Sequence, residues 1–184
     1  LFIHNVIKER IFKSNNTDKT LVLVIDNLRF DQWKVLEPVF NKYFVKEKEE
    51  IVYSILPTAT QYARNAFFSG LMPSEISRKH PEYWKNEEDE GGKNLFEKQL
   101  LEAQLKRLGK NIKWSYNKIT NVNAGKKLKE QFHLLKENDV NFIVYNFVDM
   151  LSRARTEMEV IRELADDESA YRSITMSWFE HSPL

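Results

Sequence analysis

Short apolar runs rich in β-branched residues, separated by stretches of helical periodicity, constrain this chain to an α/β fold. Leu21-Val22-Leu23-Val24-Ile25 sets five apolar residues, three of them β-branched, directly before Asp26. A run of this kind is long enough for a strand buried on both faces and too short for a buried helix. Ile51-Val52-Tyr53-Ser54-Ile55-Leu56 reads as a second strand stopped by Pro57, Ile112-Lys113-Trp114-Ser115-Tyr116 as a strand with one face to solvent, and Asn141 to Val148 as a long buried strand running into Asp149.

Helical periodicity fills the intervals. Residues 31–43 place Trp33, Leu36 and Phe40 on one face; residues 60–69 form a helix ended by Gly70; residues 95–108 form another with Gly109 just beyond. Residues 121–138 and 150–179 complete the set, with a break expected near Asp166-Asp167, and the polar stretch from His80 to Gly92 reads as a solvated loop. Strands alternating with helices predict a mainly parallel sheet with helices on both faces. Residues 1–19 read as a helical lead-in, with an amphipathic helix over residues 2–7, and residues 20–184 as the α/β core. The abrupt ends lead us to expect an incomplete domain, cut short at its C-terminal side, from a longer protein.

Composition narrows the function classes. Lys and Arg number 28 against 27 Asp and Glu, so bulk charge marks out no nucleic-acid or membrane partner. Without cysteine there are no disulfides or thiolate metal sites, which fits a cytoplasmic protein. No apolar run reaches the ~18 residues of a membrane span.

Asp26 and Asp149 each follow a strand, and Ile55-Leu56 leads through Pro57-Thr58-Ala59 into Thr60 at a helix start. In a parallel sheet these three ends share one edge, where open α/β folds place their sites. Two carboxylates and a hydroxyl meeting at a helix N-terminus suit oxygen ligation of a divalent metal. Each of the three could instead be a helix cap.

Three segments carry a resemblance. Val24-Ile25-Asp26-Asn27-Leu28-Arg29, the stretch from Leu56 through Thr60, Arg64, Asn65 and Gly70-Leu71-Met72-Pro73 to Ser74, and Asn146-Phe147-Val148-Asp149-Met150-Leu151-Ser152 resemble, in that order, the PglZ domain of the alkaline phosphatase superfamily. They resemble in particular the C-terminal domain of PorX-type response regulators of Bacteroidetes. The resemblance implies a two-zinc phosphoester hydrolase, of phosphodiesterase type, serving as output domain of a two-component regulator. Oligonucleotides are the implied substrates and an upstream receiver domain and a homodimer the implied partners. It assigns Asp26, Thr60 and Asp149 to metal, Thr60 to nucleophilic attack with Thr58 as the alternative, and Arg64 and Asn65 to phosphoryl oxygens.

Two departures stand against this. Where the family pattern has a metal-binding His four residues after the last Asp, this chain has Arg153, a permanent cation that ligates no metal. The later Asp-His pair is absent, and His4, His80, His133 and His181 sit in structural contexts. The alternative class is therefore a non-catalytic regulatory or dimerisation domain that keeps the fold. A receiver-like phosphoacceptor at Asp26 fits less well, because its early acidic pair and later Thr and Lys at strand ends do not match.

Overall fold

Three six-residue segments become strands, β1 (Thr20–Ile25), β2 (Trp114–Ile119) and β3 (Val140–Tyr145), in a sheet of order β1-β3-β2. The computed structural model describes residues 1–13, 18–86, 89, 92, 94–157, 159–164 and 166–181. All six residues of β3 are buried, as a central strand covered on both faces requires. It pairs with β2 in parallel, from Trp114 opposite Val140 to Ile119 opposite Tyr145. On its other side the Asp26 N–H donates to the Tyr145 carbonyl at 3.0 Å. The C-terminal ends of β1 and β3 thus meet, so β1 runs parallel as well. The expected α/β class with a parallel sheet is what the chain adopts.

The helices are α1 (Phe30–Phe40), α2 (Thr60–Ser69), α3 (Pro73–Lys79), α4 (Glu97–Arg107), α5 (Val122–Glu130), α6 (Phe132–Leu135), α7 (Phe147–Glu157), α8 (Glu159–Leu164) and α9 (Glu168–His181). The chain divides into two compact units: the first takes Leu1–Thr20 and Glu50–Ile112, the second Leu21–Glu49 and Lys113–Leu184.

In the first unit, α2 is buried from Ala63 to Ser69 and shares a core with Ile7, Ile55, Leu71, Ile76, Leu100, Leu101 and Leu105. Here the expected second strand is corrected. Residues 51–56 make only an isolated parallel bridge, Tyr53 with Phe2, in which Ile3 N–H donates to Tyr53 O and Tyr53 N–H to Leu1 O. The cause is burial: Ile51, Tyr53 and Leu56 are exposed and Ile55 alone is buried, so the segment has no second apolar residue on a face to hold it in a sheet. The first residues also differ from the expected amphipathic helix. Ile3–Asn5 is a 3-10 turn, and Ile7–Ile11 a wider turn that Phe12 N–H closes onto Ile7 O. In the expected loop after His80, Pro81–Tyr83 forms a 3-10 turn, while residues 87, 88, 90 and 91 lie outside the described residues.

In the second unit, Ile119, Leu128, Leu135, Ile143 and Tyr145 form a core joined by Ile25, Phe147, Trp178 and Phe179. The Phe147 and Trp178 rings stack at 3.8 Å, and Trp178 Nε1 donates to the Tyr145 hydroxyl at 3.1 Å. Buried Asn141 is fully engaged: Ser115 Oγ and Asn138 Nδ2 donate to its Oδ1, and its Nδ2 donates to Leu135 O. Helix α9 docks on α1 through a buried polar link, Gln32 Nε2 to Thr175 Oγ1 at 3.0 Å. The helix expected over residues 121–138 is broken at Gln131, and the one over 150–179 breaks where Asp166-Asp167 placed it. A cavity of about 810 Å³ is lined by Leu21, Leu23, Phe40, Tyr43, Phe132 and Phe179 among others.

Candidate functional site

The second unit carries both aspartates. Asp26 follows β1, is buried, and has its N–H fixed on Tyr145 O at the end of β3. Asn27 after it has a φ of 60°, a left-handed conformation that asparagine tolerates better than most residues. This turns the chain sharply towards α1, whose start is tied by Gln32 Oε1 accepting from Arg29 N–H at 2.9 Å. Arg29 Nε and Nη2 both donate to the Asp31 carboxylate, Nη2 also reaches Glu168, and Arg172 Nη1 donates to Asp31 Oδ2 at 3.2 Å. The Arg29 guanidinium hydrogen-bonded to it, helped by Arg172, holds the Asp31 carboxyl below the usual aspartate range.

Asp149 sits differently from expectation. The strand over 141–148 ends early: β3 stops at Tyr145, Asn146 N–H donates to Ile119 O, and Met150 N–H already closes a helical turn on Asn146 O. Asp149 therefore lies in the first turn of α7 rather than at the strand end. Helical spacing puts residues 149 and 153 on one face, and Arg153 Nε meets Asp149 Oδ2 at 3.0 Å.

The first unit carries Thr60, Arg64 and Asn65. Thr60 is the first residue of α2, half-buried, at the positive end of the helix, with exposed Thr58 in the preceding turn. No sheet strand delivers it, since residues 51–56 are not one. Arg64 turns into the core, where its Nη2 donates to Glu97 Oε2 at 2.6 Å, the two side chains being 7% and 1% exposed. Asn65 is buried too, and its Oδ1 accepts from Asn94 Nδ2 at 3.2 Å.

Sequence reasoning passed over Asn94, Glu97 and Gln104, which grip α2 along its length. Asn94 Nδ2 donates to Thr60 O at 3.1 Å, Glu97 takes Arg64 in the middle, and Gln104 Nε2 donates to Phe67 O and Phe68 O at the far end. Gly70 then ends α2 with a φ of 66°, and a Cβ there would come within 2.7 Å of Gln104 Cδ. The signal was present: Glu97 and Gln104 are seven residues apart, on the stripe that Leu101 and Leu105 mark as buried.

The zinc pair that the resemblance implies would need more donors than the described residues gather. Asp149 is engaged by Arg153, and no group of three or more His, Cys, Asp or Glu gathers among the described residues. His181 closes α9 with its Nδ1 2.8 Å from Ser177 O. The cavity of the second unit includes neither Asp26 nor Asp149 in its lining. Among the described residues no helix is long and apolar enough to cross a membrane.

Comparison with known proteins agrees with the motifs. The model of the family described as "BREX system PglZ alkaline phosphatase-like domain" matches residues 2–177. A comparison with curated proteins finds no match. With nearly the whole chain covered, the protein belongs to the PglZ family of alkaline phosphatase-like domains.

Proposed function

We propose that the intact protein hydrolyses phosphoesters, with phosphodiesters as the substrate class and Thr60 as nucleophile. The observation that carries the reading is the family match over residues 2–177, whose alkaline phosphatase-like fold is of phosphoesterase type. The chemistry of Thr60 supports it: a hydroxyl in the first turn of a ten-residue helix meets a potential that draws a phosphoryl group and eases formation of an alkoxide. Arg64 and Asn65 are buried and engaged, so this reading gives them the task of holding α2 rather than contacting substrate. The role of output domain behind a receiver, in the cytoplasm, rests on the likeness of the three motifs to the PorX-type domain.

The test is turnover of bis(p-nitrophenyl) phosphate by the intact protein and its Thr60→Ala variant. Loss of the nucleophile should lower the rate by ~10³-fold or more, while loss of a half-buried threonine that does not cap its helix should leave the fold cooperative. Near-normal turnover by Thr60→Ala would transfer the role to Thr58 or remove it from threonine altogether.

A second reading, a regulatory domain without catalysis, is favoured by one observation: Arg153 already supplies Asp149 with a cation. It expects no turnover from either protein.

A further inference from the structure

We propose that Asn94 is a positioning residue for Thr60. The inference rests on the nucleophile reading above, but its geometry stands by itself. The carboxamide nitrogen of Asn94 has two N–H groups and two acceptors within reach, Thr60 O at 3.1 Å and Asn65 Oδ1 at 3.2 Å. The first turn of α2 is closed by Ala63 N–H on Ala59 O at 3.0 Å, and Thr60 O is the next carbonyl along, so a side-chain donor there restrains the backbone from which the hydroxyl projects. Asn65, buried at 2% exposure, carries the restraint to the helix face turned to the core. At Thr60 the helix has no help from its own start: the residue before it is Ala59, which offers no side-chain cap. Asn94 thus ties the first residue of α2 to the chain before α4, a restraint at the carbonyl that leaves the free amides of the first turn untouched.

A nucleophile displaced by a fraction of an ångström loses rate while binding is kept, so the effect belongs in kcat. Asn94→Ala in the intact protein should lower kcat for bis(p-nitrophenyl) phosphate by about 10- to 100-fold with KM within about twofold. Asn94→Asp keeps the shape, lacks both donors when ionised, and should fall as far. Hydrogen exchange read on the same variants should quicken at the Ala63 and Arg64 amides, with the β3 amides unchanged. Unchanged exchange in the first turn of α2 overturns the proposal whatever the activity. Quickened exchange with wild-type kcat, in a protein that Thr60→Ala inactivates, overturns the positioning role. If Thr60→Ala keeps its turnover, the assignment of the nucleophile to Thr60 fails and the positioning role with it, and exchange alone decides whether Asn94 holds the turn.

Discussion

Two arginine–carboxylate pairs of the same chemistry occupy opposite environments. Arg64 and Glu97 meet in the core of the first unit, 7% and 1% exposed, whereas Arg153 reaches Asp149 from the surface of α7 with 67% of its side chain in solvent. The buried pair bridges two helices and is surrounded by apolar residues. The other joins successive turns of one helix and is screened by water. Geometry is near-ideal in both, so distance says little about strength; the dielectric around each pair decides what its loss would cost.

Breaking the buried pair gives the largest effect. Glu97→Ala leaves a buried guanidinium without its carboxylate and should destabilise the fold by about 3–5 kcal/mol, seen as a lower urea midpoint. The double change Arg64→Met with Glu97→Leu should recover most of that loss, because two apolar side chains carry no desolvation penalty.

The Arg29–Asp31–Arg172 cluster is intermediate and is read by pH. The folded carboxyl of Asp31 is held down by Arg29, so its contribution is full above the ordinary value of 3.8 and is lost as pH falls through the lower folded value. Wild type should therefore exceed Asp31→Asn in stability near neutrality, with the gap closing in acid as both are titrated by circular dichroism. A gap constant down to acid unfolding would mean that the cluster does not feel the charge of Asp31.

The smallest stability effect belongs to the exposed pair: Arg153→Ala should change unfolding free energy by less than about 0.5 kcal/mol. Its consequence lies in metal affinity. The unaltered chain should show weak zinc binding by calorimetry, and Arg153→His should tighten it, since histidine replaces a cation with a nitrogen donor one turn from Asp149. Tight binding by the unaltered chain would reverse this assignment.

What the sequence disclosed followed local rules. Helix α2 runs from Thr60 to Ser69 as expected because Gly70 provides the left-handed stop, and β3 forms because its apolar run suits a covered parallel sheet; β1 forms where its apolar run stands but at the sheet edge, with Leu21 and Leu23 exposed where burial on both faces was expected. What it withheld depended on partners far along the chain. Residues 51–56 carry strand propensity but meet only the residues around Phe2, and propensity without a covered face gives no sheet strand. The boundary at Tyr145 was hidden because Phe147 and Val148 are as apolar as the strand they follow; the stacking of Phe147 on Trp178 belongs to the helix. The hold of Asn94 on Thr60 is a hydrogen bond to a backbone carbonyl, which residue identity does not encode.

The order of elements along the chain also bears on synthesis. The first unit closes with residues up to Ile112, but β1, made early, has its neighbour only when Val140–Tyr145 has been translated. At ~5–20 residues per second the ribosome needs on the order of 5–20 s to cover the interval. Throughout it Leu21, Val22 and Leu23 wait as an unpaired apolar segment, the kind that chaperones bind and that seeds misassembly. Slower translation of the middle of the gene should therefore lower the soluble yield.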